Sequence, residues 1–254
     1  MKSVLRQYQL PVFTGVVLLM TGCQSVHHHE TNKRYILWDI VSQRCGTVLD
    51  RKKDCLVHQP DYVVLRDING PVQTLIIPTT KITGIEDQQL LSASAKNYFA
   101  IAWQYRQILD QQNQIPISSQ YLSFSVNSPY GRTQDQLHIH ASCLRPDVYQ
   151  TIQDHRESIK IGQWQQLPEK IFGHTYLAQK MPFEQIMTKD PFKVLSTHVM
   201  QQANDSMAHY GIAMVSIDQK NVILLATREN QTENNLGSIE EIQDTHCKIT
   251  RKSF

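Results

Sequence analysis

The chain has 254 residues, of which 41% are hydrophobic and 19% are charged, and its formal net charge at pH 7 is +2. This composition is typical of a folded globular protein and not of a disordered one. The sequence has no lysine- or arginine-rich stripe, and its pI is about 8.2. Charge therefore argues against DNA or RNA as a partner.

The N-terminal sequence predicts a targeting signal. Lys2 and Arg6 precede a short apolar run that ends in Leu19-Met20-Thr21-Gly22-Cys23. A run this short, with basic residues before it, predicts a secretion signal and not a membrane-spanning helix. The residues before Cys23 resemble the bacterial lipoprotein cleavage box, so we expect cleavage there and lipidation of the Cys23 thiol. An uncleaved N-terminal membrane anchor is the alternative.

These features predict three segments. Residues 1–22 form a lipoprotein signal peptide, residues 23–33 form a tether that includes His27-His28-His29, and residues 34–254 form one domain without an internal linker. Removing residues 1–22 takes away two basic and no acidic side chains, which lowers the net charge from +2 to 0. We expect the protein in the bacterial cell envelope, anchored to a membrane and facing the periplasm.

The first half of the domain alternates between helical and strand patterns. Asn69-Gly70 is a strong signal for a hairpin turn, and apolar residues at helical spacing follow it. In chain order we predict a helix over Thr31–Gln43, hairpin strands Tyr62–Asp67 and Val72–Pro78, a helix from Tyr98 to Leu109, and strands Tyr121–Val126 and Gln136–Ser142.

The second half predicts further helices and a second hairpin, without a chemical motif of its own. Prolines at helix starts and the Ser238–Glu241 capping box define the helical segments. The predicted elements are helices Asp147–Arg156 and from Asp190 to about Gln202, strands Tyr210–Ile217 and Asn221–Thr227, and a final helix from Ser238.

The strand Gln136–Ser142 carries the main chemical signal. It alternates polar and apolar residues, so His138 and His140 lie on one face and the intervening apolar residues on the other. Neutral imidazole suits nucleophilic and acid–base work near pH 7. The pair by itself also fits a surface position or half of a zinc site. No His-Glu-x-x-His motif accompanies it, and we predict no metal and no cofactor.

Two flanking residues extend this pattern. Asn127 lies eleven residues before His138, and Gln134 lies four before it. The arrangement resembles the histidine-triad superfamily of nucleotide hydrolases and transferases, in which such residues gather around an α-phosphate. The resemblance places His140 on the middle, nucleophilic histidine and Ser142 where the third histidine should be. A second register, in which His138 is the nucleophile, remains open.

A narrower resemblance covers nearly the whole domain. Segments that begin at Gly70, Leu75, Gly131, Leu137, Gly173 and Glu240 follow one another along the chain. In this order they resemble the bacterial CDP-diacylglycerol pyrophosphatase family, which implies CDP-diacylglycerol as the substrate. The implied reaction is hydrolysis to CMP and phosphatidate through a covalent nucleotidyl-histidine. The implied fold is α+β, a histidine-triad-like antiparallel sheet with packed helices and a C-terminal α/β extension.

The resemblance also implies roles for individual residues. His140 would attack the cytidine-side phosphorus, and His138 would orient it or bind a phosphate oxygen. The remaining contacts to phosphate would come from Asn127, Arg132, Gln134 and Ser142. A nucleotidyl (CMP) transferase would use the same residues, and a non-catalytic lipoprotein binding module is favoured only if Ser142 marks a dead site. Contact of His174 with substrate is a further hypothesis, whereas Arg145 fits a surface charge at a helix end.

Four cysteines remain after lipidation of Cys23, an even number suited to an oxidising compartment. Three pairings are possible. The spacing favours Cys45–Cys55 around a short charged loop and leaves Cys143–Cys247 as a long-range bond. The second bond would join the predicted C-terminal helix to the histidine strand.

Overall fold

A computed structural model describes residues 33–45, 55–216 and 218–251. These residues form one ten-stranded antiparallel sheet with short helices packed on it, which confirms the predicted α+β class. The strands are β1 Cys55–His58, β2 Tyr62–Arg66, β3 Thr74–Pro78, β4 Leu122–Val126, β5 Ile139–Leu144, β6 Gln165–Gln166, β7 Tyr176–Pro182, β8 Tyr210–Ser216, β9 Asn221–Arg228 and β10 Gln243–Asp244.

The sheet has the order β1-β2-β3-β5-β4-β8-β9-β7-β6, and β10 pairs with the end of β5. Strand β5 therefore lies between β3 and β4, and its His140 is opposite Leu75 on one side and Ser125 on the other. The predicted second-half hairpin joins the same sheet through the pairing of β8 with β4. Strands β1, β6, β7 and β10 were not indicated by the sequence patterns.

The helices are short. They are α1 Ile36–Asp39, extended by a π-helical turn over Ile40–Arg44, then α2 Tyr98–Gln104, α3 Gln107–Asn113, α4 Pro146–His155 and α5 Pro191–Val199. The predicted helix from Tyr98 to Leu109 is broken between α2 and α3. At the break Arg106 lies over the Trp103 ring and donates to the Trp103 carbonyl oxygen at 2.9 Å, so a side chain satisfies a backbone acceptor where the helix ends.

The two faces of the sheet differ. One face carries the main core, in which helix α2 packs against Ile139, Ala141 and Cys143 of β5. The other face has two smaller apolar clusters, one that includes α1, β2 and β3 and one that includes α4, β8 and β9. His140 and Ser142 alternate with the core residues of β5 and therefore lie on this second face.

The predicted final helix is wrong. Residues Ile239–Ile242 form a 3₁₀ turn that leads directly into β10. The Ser238 side chain makes no capping hydrogen bond. The Glu241 carboxylate, which would complete a capping box, accepts instead from the Tyr176 hydroxyl at 2.7 Å and contacts His174 Nδ1 at 2.8 Å. The Glu241 carboxylate is thus engaged in tertiary contacts and does not cap the start of a helix.

Both predicted disulfides are present. Cys45 is bonded to Cys55, and Cys143 is bonded to Cys247 across 104 positions of sequence. Because the predicted C-terminal helix is wrong, the second bond joins β5 to a turn that precedes the 3₁₀ segment Lys248–Arg251.

The two disulfides should differ in their effect on stability. In the chain-entropy model the stabilisation grows with the logarithm of loop length, and the separations are 104 and 10. Replacing both Cys143 and Cys247 by Ala should therefore lower the free energy of unfolding by about 2 kcal/mol more than replacing Cys45 and Cys55. Urea denaturation of the two double variants measures the difference, and equal losses would contradict it.

Candidate active site

The two histidines lie side by side on the second face of the sheet. The ring centroids of His138 and His140 are 4.7 Å apart in an edge-to-face arrangement. His138 directly precedes β5, so the regular strand begins later than predicted, but the two side chains still point the same way. Both residues are buried, with 8% and 6% of their surface exposed. The predicted pairing of the imidazoles is therefore present.

His138 is held as a neutral base. Its Nδ1 lies 2.7 Å from the Gln136 carbonyl oxygen, which can only accept, so the ring proton is on Nδ1 and the lone pair is on Nε2. Burial lowers the pKa of His138 to about 3, and repulsion from His140 acts in the same direction. His138 is consequently unprotonated at Nε2 near neutral pH.

His140 is held in the opposite tautomer. Gln73, which is buried, donates from Nε2 to His140 Nδ1 at 3.1 Å. This bond assigns the proton of a neutral His140 to Nε2. His140 Nε2 lies 3.1 Å from Glu240 Oε2 but makes no aligned hydrogen bond within the described ranges. His140 therefore presents an N–H group beside His138.

Two carboxylates flank His140. Asp67 Oδ2 lies 3.8 Å from Nδ1, and Glu240 Oε2 lies 3.1 Å from Nε2. The Asp67 side chain is 4% exposed, whereas that of Glu240 is 41% exposed. Only Glu240 of these two carboxylates is thus open to water.

Asn127 binds Glu240, which in turn lies beside His140. Its Nδ2 donates to Glu240 Oε2 at 2.7 Å, and its Oδ1 accepts from the Glu240 backbone N–H at 3.0 Å. The amide expected to contact phosphate is therefore bound to a carboxylate next to His140. Phosphate binding by Asn127 remains a prediction.

Arg132 lies near His138, but two carboxylates already hold its guanidinium. It pairs with both oxygens of Glu86 at 2.7 Å and with Asp135 Oδ1 at 3.0 and 3.1 Å. Asp135 also binds Arg34, whose hydrogen bonds lower the pKa of the Asp135 carboxyl. Arg132 thereby stabilises the loop before β5, and its contact with phosphate remains a prediction.

Gln134 and Ser142 also have other partners. Gln134 Nε2 donates to the Lys33 carbonyl oxygen at 2.8 Å, and its Oε1 accepts from the Leu37 N–H at 3.0 Å. Ser142 donates to the Val72 carbonyl oxygen at 2.7 Å. Gln134 thereby fixes α1, and Ser142 ties β5 to the segment before β3. Their contacts with phosphate remain predictions.

Several site residues were missed in the sequence analysis. Ser125 faces His140 across the strand pair, and its buried Oγ has no hydrogen-bond partner within the described residues. Gln243 donates to the His140 carbonyl oxygen at 3.0 Å. The alternation Leu122-Ser123-Phe124-Ser125 was a usable signal, because it puts two serines on the histidine face. The contacts of Asp67, Gln73 and Glu240 carried no such local signal.

His174 and Arg145 lie in other surroundings. His174 pairs with Glu241 at 2.8 Å, as described for the 3₁₀ turn. Arg145 pairs with Asp147 at 2.9 Å and lies over the Phe172 ring, in agreement with its interpretation as a charge at a helix end. No group of three or more potential metal ligands occurs in the part of the chain that the structure describes.

Comparisons with known proteins decide the family. A family model described as CDP-diacylglycerol pyrophosphatase matches residues 32–251. A Yersinia pestis protein named CDP-diacylglycerol pyrophosphatase is 36% identical over 249 residues, which cover 96% of this chain and 95% of that protein. The chain belongs to the CDP-diacylglycerol pyrophosphatase family. The predicted family and the predicted class of enzyme, a diphosphatase, are thereby confirmed.

A solved structure is also similar. The crystal structure of a DUF4931 family protein from Bacillus cereus matches with a TM-score of 0.49 and 12% sequence identity. The match covers 70% of this chain and 86% of that chain. The histidine-triad resemblance remains a prediction.

Among the described residues no helix is long and apolar enough to cross a membrane. A cavity of about 580 Å³ lies between β7 and α5, where Trp164, Met181 and His198 contribute to its lining. Neither His138 nor His140 lines this cavity.

The buried state of His138 should make stability depend on pH. Its pKa is about 3 in the folded protein against an ordinary value of 6.5, so the unfolded chain binds the extra proton. The contribution of neutral His138 to the free energy of unfolding is therefore complete above pH 6.5, and it decreases as the pH falls below that value. Lowering the pH from 7 to 5 should therefore reduce the free energy of unfolding by about 2 kcal/mol through this histidine.

Urea denaturation of a His138→Gln variant at both pH values measures this contribution. The variant should lose less stability than the wild type on acidification, by roughly the amount given above. The matched control His246→Gln changes an exposed histidine and should behave as the wild type does. Parallel losses in His138→Gln and wild type would contradict a buried neutral His138.

Proposed function

We propose that this protein hydrolyses the pyrophosphate bond of CDP-diacylglycerol to CMP and phosphatidate through a covalent nucleotidyl-histidine. The family supports the substrate. The paired imidazoles, whose different hydrogen-bond partners assign opposite tautomers, are the observation that carries the mechanism. One ring offers a lone pair and its neighbour offers an N–H donor. Attack by nitrogen on the cytidine-side phosphorus divides one difficult displacement into two easier steps.

The tautomers favour His138 as the attacking residue, which is the alternative register that the sequence left open. Its Nε2 carries a lone pair, whereas Nε2 of a neutral His140 carries the proton. We infer that His140 donates its N–H to a phosphoryl oxygen and stabilises the charge that develops there. The original assignment of attack to His140 remains the competing proposal.

Phosphatidate is a phosphate monoester and leaves without needing a strong acid. The expulsion of phosphatidate requires the P–O bond to break as the P–N bond to histidine forms. Ser125 and Asn127 are the neutral donors near His140 that we propose for phosphate oxygens. Hydrogen bonds from such preorganised donors contribute most in a site that excludes water.

The identity of the attacking histidine can be measured directly. Wild-type protein should be mixed with CDP-diacylglycerol in detergent and excess EDTA, quenched in alkaline denaturant and digested. Fragmentation mass spectrometry should then locate CMP on His138. The His138→Gln variant should form no adduct, and His140→Gln should form the same adduct more slowly.

An adduct on His140 would instead restore the first register. Loss of turnover in EDTA, with recovery on adding zinc, would contradict the metal-free mechanism as a whole. Exchange of CMP onto an added alcohol in preference to water would favour the nucleotidyltransferase alternative.

We also propose that lipidation of Cys23 holds the domain on a membrane of the cell envelope, facing the periplasm. The tether ends at Lys33, whose carbonyl oxygen is bound by Gln134 in the loop before the histidines. Eleven residues span at most about 35–40 Å, so the anchor would keep Lys33 within that distance of the membrane and the active site close to its lipid substrate.

Replacing the anchoring cysteine tests this proposal. A Cys23→Ala variant should move from the membrane fraction to the aqueous fraction. It should also lose turnover on CDP-diacylglycerol in vesicles while keeping turnover on the same lipid in detergent. Ser25→Ala is the control and should behave as wild type does, whereas membrane retention of Cys23→Ala would contradict the lipid anchor.

A further inference from the structure

Glu240 lies beside the paired histidines and has no role in the first step of the proposed reaction. It lies more than 100 residues from Asn127 in sequence and reaches the histidines from the 3₁₀ turn that follows β9. Its carboxylate oxygen lies 3.1 Å from His140 Nε2 and accepts from Asn127 Nδ2 at 2.7 Å. We propose that Glu240 is the general base that activates water to release CMP from the nucleotidyl-histidine, an inference that rests on the proposed function.

The position of Glu240 is fixed from two sides. Asn127 binds both its backbone N–H and its carboxylate. The Ser128 N–H donates to the Gly237 carbonyl oxygen at 3.0 Å, which ties the end of β4 to the start of the same turn. Ile239 on this turn is fully buried. The backbone is therefore held in place while the carboxylate projects into the site.

Glu240 is also the flanking carboxylate that water reaches. Its side chain is 41% exposed, whereas the side chains of Asp67 and His140 are 4% and 8% exposed. A general base must contact both the incoming water and the reaction site. Asp67 lies beside His140 but is buried from water, whereas Glu240 lies beside His140 and is also exposed to water.

The chemistry of the second step balances with this assignment. The water oxygen bonds to the cytidine-side phosphorus, and one water proton passes to the Glu240 carboxylate. The bond between phosphorus and histidine Nε2 breaks, and its electron pair returns to the nitrogen. CMP then leaves, and Glu240 releases its proton to solvent.

The carboxylate fits the second step better than the first. The substrate brings a pyrophosphate beside Glu240, which is unfavourable for a second anion. After phosphatidate has left, only one phosphoryl group remains, and it is bonded to a positively charged imidazolium. Glu240 therefore faces a less negative partner when water attacks.

The test separates the two steps in a Glu240→Gln variant. Glutamine keeps the length of the side chain and can still accept from Asn127, but it cannot take a proton. Released phosphatidate measures the first step. The covalent intermediate is measured as protein-bound label, with CDP-diacylglycerol labelled in its cytidine-side phosphate as the substrate. Glu184→Gln, on an exposed turn, is the matched control.

We expect turnover of Glu240→Gln to fall by about 10²- to 10⁴-fold. Phosphatidate should still appear in a rapid burst, and nearly every chain should carry the label in the steady state. Glu184→Gln should show neither effect. Added formate should partly restore turnover to Glu240→Ala, because a small carboxylate can replace the missing base, and a purely structural role would not respond to it.

Three results would overturn the inference. These are unchanged turnover in Glu240→Gln, a loss of the phosphatidate burst in parallel with turnover, and reduced turnover without bound label. A wild-type protein that releases neither CMP nor phosphatidate would overturn the proposed function as well. That failure is visible before any variant is compared, so the two outcomes are distinguishable.

Discussion

The arrangement of the site depends on strand β5, which has to place apolar side chains in the core on one face and polar side chains in the site on the other. Ile139, Ala141 and Cys143 are at most 1% exposed and belong to the main core. His140 and Ser142 face the other way. A shift of one residue would move the imidazole into the core and an apolar residue into the site. Pairing along both edges, with β3 and β4, prevents such a shift.

Burial on this face determines the chemical state of His138. Transfer of a charged imidazole out of water is costly, so a buried histidine stays neutral unless a partner compensates it. The Gln136 carbonyl then assigns the proton of His138 to Nδ1, and the Gln73 amide assigns the proton of a neutral His140 to Nε2. The lone pair and the N–H donor are therefore in place before substrate arrives, and little reorganisation is needed during reaction.

Much of this arrangement could be predicted from the sequence because it is local. The alternation around His138 and His140 gives their shared face, and Asn69-Gly70 gives the β2–β3 hairpin. The Cys143–Cys247 disulfide was predicted from the number and spacing of the cysteines. Family resemblance added the substrate, which local patterns do not encode.

The remaining features depend on contacts that are distant in sequence. Glu240 and Gln73 lie beside His140 because of the tertiary structure, and no local spacing in the sequence predicts these contacts. The capping box at Ser238 was misread because Tyr176 and His174 take the Glu241 carboxylate. The ion pair of Arg132 with Glu86, 46 residues away in sequence, likewise has no local signal. In each case tertiary contacts, and not local sequence signals, determine the arrangement.

The stereochemical course at phosphorus tests the covalent mechanism most directly. CDP-diacylglycerol with a chiral phosphorothioate on the cytidine side should be hydrolysed in water enriched in ¹⁸O. Two successive in-line displacements, first by histidine and then by water, predict a thio-CMP product with retained configuration. Inversion would show a single displacement by water and would contradict the nucleotidyl-histidine on which the account depends.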